Sequence, residues 1–176
     1  NEALLEVITN NPSGVLYKKL VETKMSSGLY GYSQTLYDPG FSYFQVDVPM
    51  DKSIDSAKNV FLTTSDEVNK MSFTEEELTR SKNILLKSIE DLNSKTTDLA
   101  IQLTEYIGAG DWRLWLLSRD RIEELTVANL ETVAKKYYKK SNRTVGAFVP
   151  DPKPDRVVVA ETPDIKSLLN NYKGKE

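Results

Sequence analysis

"LYGYSQTLYDPGFSYFQVDV", Leu29–Val48, is the stretch on which the fold turns. Its second half alternates, with Phe44, Val46 and Val48 on one side and Tyr43, Gln45 and Asp47 on the other. That period of two marks a strand with one buried face. The first half, residues 29–37, is rich in tyrosine, threonine and leucine, residues suited to a pleated surface. Between them Asp38-Pro39-Gly40 supplies a turn: Pro39 presets φ, and Gly40 is free to take the positive φ of a type II turn. The pattern predicts a β-hairpin with strands at 29–37 and 41–48.

Both flanks read as helical. Residues 2–9, "EALLEVIT", carry Ala3, Leu4, Leu5, Val7 and Ile8, the pattern of a short buried helix, and Pro12 breaks it. Ser13 is the expected N-cap of a helix over "GVLYKKLVETKM", with Gly14 just inside its start, where a second chain has room to approach the backbone. After Pro49, residues 53–70 place Ile54, Ala57, Val60, Phe61 and Val68 near one stripe. Thr74-Glu75-Glu76-Glu77 forms a capping box, and the helix it opens carries Leu78, Leu85, Ile89 and Leu92 along one face. Further helices are predicted from Thr96 to Tyr106, from Asp111 as N-cap, and over 126–138. "RTVGAFVP", 143–150, reads as a closing strand.

These elements predict an α+β fold, an antiparallel sheet backed by several helices. Two or three strands are few for that much helix, so a further strand is expected upstream or from another chain. Residues 1–150 are the expected domain. Residues 151–176, with three prolines beyond Pro150 and a charged end, read as an interdomain linker or tail. The first residue, Asn1, is not methionine, and the chain is expected to be a processed or cut piece.

Composition narrows the chemistry. The 176 residues are 39% hydrophobic and 28% charged, ordinary for a globular protein. A net charge of −3 argues against nucleic acid as the main partner, since phosphate binding needs a cationic face. No apolar run is long enough for a membrane span. The chain has neither histidine nor cysteine. That excludes Ser-His-Asp and Cys-His catalysis and every histidine- or cysteine-ligated zinc site. No catalytic residue and no metal ligand is predicted, and no cofactor is assigned to this chain.

The remaining motifs have plain explanations. Glu75, Glu76 and Glu77 are charges favoured at a helix N-terminus rather than a metal cluster. Gly108-Ala109-Gly110 lacks the third glycine and the preceding strand of a dinucleotide loop. Asn142-Arg143-Thr144 is a glycosylation sequon of the kind that recurs by chance. Tyr30, Tyr32 and Gln34 suit peptide binding by strand addition, though the pattern alone favours packing under a helix. In Ile107–Leu125, Trp112, Leu114, Trp115, Leu116 and Leu117 are too apolar for a solvent-facing reaction site. Arg113, Arg119, Asp120 and Arg121 are spaced for ion pairs.

Two segments carry a family resemblance: "NPSGVLYKKLVETK" (11–24) and "IGAGDWRLWLLSRDRIEELTVANLETVAKKYYKKSNRTVGAFVPDPKPDR" (107–156). Their ordered "GDWR…RDR…NRTVG" series resembles the pitrilysin/insulinase family of zinc metallopeptidases. The likeness is to the second, non-catalytic domain of the amino-terminal half, and it runs from about Glu2 to Arg156. It implies a LuxS/mitochondrial-processing-peptidase-like metallohydrolase domain. In that family an inverted His-x-x-Glu-His motif on the first domain holds the zinc. This chain cannot contain the motif, so zinc would belong to the parent protein alone. The resemblance implies a domain that lines a substrate chamber, in company with the zinc-bearing domain and the carboxy-terminal half of the same parent chain. The implied ligands are unfolded peptides, held by Gly31, Tyr32, Ser33, Gln34 and Thr35, with Ser13 and Gly14 nearby. The glycine-rich stretch found just before the turn in insulin-degrading relatives is replaced here by Leu36-Tyr37-Asp38. A sheet edge left bare is expected either to pair with a second copy, giving a homodimer, or to be capped by residues 156–160, "RVVVA". The alternatives are an inactive, structural core-protein-like subunit and a stand-alone peptide-binding module. The compartment stays open between bacterial periplasm and cytoplasm.

Overall fold

The structure is a computed structural model that describes residues 1–175. It divides into two compact units, Asn1–Arg143 and the segment from Thr144 onward. The first unit contains the predicted hairpin. Strand β1, Gly28–Gln34, pairs antiparallel with β2, Phe41–Asp47, in a two-stranded sheet. The register sets Leu29 opposite Val46, Gly31 opposite Phe44 and Tyr32 opposite Tyr43.

Helices cover the inner face of that sheet, so the fold is α+β. Helix α1, Glu2–Thr9, buries Ala3, Leu4, Leu5 and Ile8. Removing three such aliphatic side chains from water contributes about 1.5–3 kcal/mol each. Helix α3, Ile54–Glu67, begins at Ser53, whose side chain accepts the Ser56 N–H at 3.2 Å, and buries Ala57. Helix α4, Glu75–Asn93, starts with the predicted capping box: Thr74 accepts from Glu77 N–H, and the Glu77 carboxylate accepts from Thr74 N–H at 2.9 Å. Its Ser81 hydroxyl, fully buried, donates to the Ala3 carbonyl at 3.0 Å and so ties α4 to α1. Helices α5 (Thr96–Gly108), α6 (Leu114–Glu123) and α7 (Val127–Tyr137) complete the unit.

Two hydrophobic clusters result. The larger joins α1, α3, α4 and α7 to the inner sheet face through Leu4, Ile8, Leu16, Leu20, Val68 and Leu130, with Leu29, Phe44 and Val46 packed against it. The smaller joins α4, α5 and α6 through Ile89, Trp115 and Ile122.

The segment after Pro12 departs from a plain helix. Gly14, not Ser13, is the N-cap of α2, Val15–Tyr17, which widens into a π-type turn over Lys18–Glu22. The Ser13 hydroxyl instead donates to the Asn10 side-chain oxygen at 2.9 Å, because Asn10 stands one turn before it. The widened turn ends in a Schellman closure: Met25 N–H reaches the Leu20 carbonyl and Lys24 N–H the Val21 carbonyl, both at 2.9 Å. Lys24 takes the left-handed position there, φ 59. Helix α5 closes the same way, with Gly110 N–H on Ile107 O at 3.0 Å, Asp111 N–H on Tyr106 O at 3.1 Å, and Gly110 at φ 125.

Other expectations need correction. The hairpin connection is a six-residue loop, Thr35–Gly40, rather than a tight turn. Gly40 does not have positive φ; it is needed for space, since a Cβ there would stand 1.9 Å from the Gln34 carbonyl oxygen. Asp111 does not cap α6 directly. Its carboxylate accepts Arg113 N–H at 2.8 Å in a turn that precedes the helix. No strand forms at 143–150: the two strands of the described sheet pair only with each other, and an extended segment without a ladder partner is not a strand. In the second unit, Arg156–Ala160 likewise form no strand, and Val157, Val158 and Val159 are exposed. Among its described residues that unit holds one short helix, α8, Ile165–Leu169, capped by Asp164.

Candidate functional site

The alternation that buries Leu29, Phe44 and Val46 places Tyr30, Tyr32 and Gln34 of β1 and Phe41, Tyr43, Gln45 and Asp47 of β2 on the opposite, outer face. No helix of the described residues covers it: Tyr30 is 58% exposed, Phe41 50% and Tyr43 42%. The expectation favoured by pattern, tyrosines packed under a helix, is therefore overturned. The helices engage the other face, where side chains are apolar.

The outer face is an aromatic platform. Tyr32 sits at its centre, with ring centroids 5.8 Å from Tyr30, 5.4 Å from Tyr43 and 6.1 Å from Phe41. These are tilted and edge-on contacts, the arrangement aromatic quadrupoles prefer. A polar ladder continues along β2: Tyr43 Oη donates to Gln45 Oε1 at 3.3 Å, and Gln45 Nε2 donates to Asp47 Oδ1 at 2.9 Å. Since the described sheet has only two strands, each strand also has an outer edge without a ladder partner. Such an edge presents unpaired N–H and C=O groups to any extended chain.

The seven residues expected to bind peptide are divided by this geometry. Tyr32 and Gln34 lie on the outer face. Gly31 and Ser33 belong to the inner face by alternation, so only their backbone is offered at the strand. Gly31 lies under α1, where a Cβ would come within 2.9 Å of Leu5 Cδ2. Thr35 is exposed in the loop. Ser13 is engaged with Asn10, and Gly14 is buried beneath the chain's own backbone, 2.7 Å from Asn10 N and Ile8 O at the Cβ position. Phe41, Tyr43 and Asp47 were missed. Their signal was present in the alternation of β2, but only the cross-strand register shows that they share a face with Tyr32.

The Ile107–Leu125 segment is a packing device. Trp115 is buried at 6% exposure, meets Tyr106 edge-on at 5.6 Å, and donates its indole N–H to Asn93 Oδ1 at 3.3 Å. Leu114 is half-buried, whereas Trp112, Leu116 and Leu117 are exposed, contrary to the uniformly apolar reading of that run. Burial raises the Tyr106 hydroxyl above its usual range. Arg113 grips the Asp111 carboxylate through Nε at 2.9 Å and Nη2 at 2.5 Å, which lowers the Asp111 pKa to about 2. Arg119 pairs with Asp120 at 2.7 Å. The Lys82 ammonium of α4 donates to the carbonyls of Glu123 and Leu125, closing the end of α6. The sequon asparagine, Asn142, donates its side-chain amide to Tyr137 O at 3.1 Å, and Arg143 pairs with Asp66 at 2.9 Å. "NR" in this series is thus a clasp between the end of α7 and the end of α3.

The chain's side chains do not fit a zinc site. Histidine and cysteine are missing from the sequence, and among the described residues no three carboxylates converge. Nor is any helix among those residues long and apolar enough to cross a membrane.

Neither a family model nor a curated protein matches the sequence. Solved structures do. The inactive peptidase domain of a candidate zinc protease from Bordetella parapertussis superposes with a TM-score of 0.79 at 30% identity, over 90% of this chain and 84% of that one. A candidate zinc protease from Bordetella pertussis Tohama I gives 0.77 at 30% identity, over 85% and 83%. A protease from Helicobacter pylori shares the fold at 18% identity, with a TM-score of 0.70 over 80% of this chain but 34% of its own. At that identity and coverage the chain belongs to the same pitrilysin-like zinc-protease family as the Bordetella peptidase domains.

Proposed function

We propose that this chain is a non-catalytic domain of a zinc-dependent metalloendopeptidase, forming part of the wall of a substrate chamber and holding extended peptide against its hairpin. Zinc and the groups that activate water reside on a separate domain of the parent protein. The observation that carries this reading is an aromatic, uncovered sheet face with unpaired strand edges, on a zinc-protease fold without any histidine. Strand addition suits that role, because it reads peptide backbone with little demand on sequence.

The domain partners are the zinc-bearing domain and the carboxy-terminal half of the same parent chain; the apolar side chains left exposed on α5, on α6 and in the turn between them, Ile101, Ile107, Trp112, Leu116 and Leu117, supply surface for such contacts. A second copy pairing edge to edge is the partner the isolated chain would find. The test is binding of a labelled unfolded peptide to the purified chain, with peptide cleavage followed alongside. Saturable binding without cleavage supports the proposal; a chain that ignores unfolded peptides does not line a substrate chamber.

A second reading is favoured by the Bordetella parapertussis domain, which is described as inactive. On that reading the whole parent is a scaffold, like an inactive core-protein subunit. An intact His-x-x-Glu-His in the parent's upstream sequence selects the peptidase, and a degenerate one selects the scaffold.

A further inference from the structure

The outer face of the hairpin is graded from aromatic to anionic, and the gradient suits one kind of side chain. Resting on the peptide-binding reading above, we infer that this face selects extended peptides carrying lysine or arginine, whose stem and cationic head lie across Tyr30 and Tyr32 toward the Asp47 carboxylate.

Asp47 is the sole charged residue in either strand, and neither strand contains lysine or arginine. Its Oδ1 takes the Gln45 amide, and Gln45 in turn takes the Tyr43 hydroxyl, so the uncharged polar groups of the ladder satisfy one another. Oδ2 remains, and among the described residues no cation pairs with it. The residue opposite is Gly28, and a Cβ there would stand 3.2 Å from Oδ2. Glycine thus leaves the carboxylate open from above. The fold does not call for this charge: the strand end is held by the Asp47 carbonyl, which accepts both the N–H and the hydroxyl of Ser27.

Next along β1 stands Tyr30, opposite Gln45 and so a diagonal neighbour of Asp47, with Tyr32 5.8 Å beyond it. Diagonal neighbours on one face of a sheet are about 7–8 Å apart, within the span of a lysine or arginine side chain. The stem covers apolar ring surface while the head meets both the negative ring faces and the carboxylate. A glutamate or aspartate in the same place meets only repulsion.

The test uses the full 176-residue chain and three fluorescein-labelled, unstructured peptides that alternate threonine with lysine, glutamine or glutamate. Fluorescence anisotropy at low ionic strength should rank them lysine, glutamine, glutamate, with the lysine peptide about five- to tenfold tighter than the glutamine peptide. The gap should close as salt is added. Asp47→Asn keeps the acceptor for Gln45 and should abolish the preference. Tyr30→Leu keeps apolar area, removes the ring, and should narrow it. Glu76→Gln, on α4, removes the same unit of net charge and should leave it intact. Equal affinity for the lysine and glutamine peptides, or a preference that survives Asp47→Asn, overturns the inference while leaving peptide binding itself in place. If none of the three peptides binds, the peptide-binding reading falls and the inference falls with it.

Discussion

Lys24 holds a backbone position that glycine fills at the end of α5. Its φ of 59 closes the widened turn of Lys18–Glu22 through the same pair of hydrogen bonds that Gly110 makes possible for α5. An L-residue pays about 1–2 kcal/mol for that conformation, and glycine gives part of this back through a freer unfolded chain. Lys24→Gly should therefore raise stability by about 0.5–1 kcal/mol in urea denaturation. Gly14 is the opposite case. Backbone atoms of Ile8 and Asn10 lie 2.7 Å from where its Cβ would be, with no flexible side chain to give way. Gly14→Ala should lose about 1–3 kcal/mol by the same measurement. Asp111 makes a prediction in pH. Its carboxylate pKa falls from 3.8 to about 2 because Arg113 grips the charged form. A depressed carboxylate pKa stabilises the fold above the unfolded value and loses that contribution as pH falls through the folded one. Acid unfolding should show the loss between about pH 4 and 2, and Asp111→Asn should flatten it; an Asp111 carboxyl titrating by NMR near its ordinary value would contradict the bidentate pairing.

At the scale of elements, α5 and α4 are expected to behave differently. Helix α5 has no buried residue, while α4 buries Leu78, Ser81 and Ile89 and is bonded to α1. Hydrogen exchange should therefore find α5 amides opening at markedly lower free energy than those of α4, and Trp115→Ala should widen the difference while costing about 3–5 kcal/mol globally. Elements were legible in the sequence where one local rule decides them. The period of two gave β2 its faces, and Thr74 with Glu77 marked the start of α4 to the residue. A second capping box, Thr126 with Asn129, went unrecognised because asparagine stands where glutamate or glutamine is usual. Illegible features depended on distant partners or on competing local bonds. Residues 143–150 have strand chemistry but no ladder to join. Ser13 has cap chemistry but is drawn to Asn10. The exposure of the Tyr30, Tyr32, Phe41 and Tyr43 face depends on which side of the sheet α1 occupies, and no single strand records that. The alternation of β1 alone sets Tyr30, Tyr32 and Gln34 on one side; that Phe41, Tyr43 and Asp47 share that side required the register between two strands.

The molecule as a whole joins a family fold to a missing ligand set. A chain with the fold of a zinc-protease domain, at 30% identity to an inactive one, has no imidazole and no thiol with which to hold the metal. On the proposed reading, its uncovered hairpin face is the surface through which it would contribute to a peptidase assembled from other parts. If the isolated chain meets a second copy through its strand edges, sedimentation should show a monomer–dimer equilibrium that shifts toward monomer when an unfolded peptide is added, since both compete for the same backbone groups. The most direct measurement is peptide cleavage by the purified chain in the presence of zinc, with metal content determined on the same sample, alone and after addition of the parent's zinc-bearing domain. The account predicts no stoichiometric zinc and no cleavage by the chain alone, with cleavage appearing only in the presence of the zinc-bearing domain. Chelator-sensitive cleavage by the chain alone would contradict it.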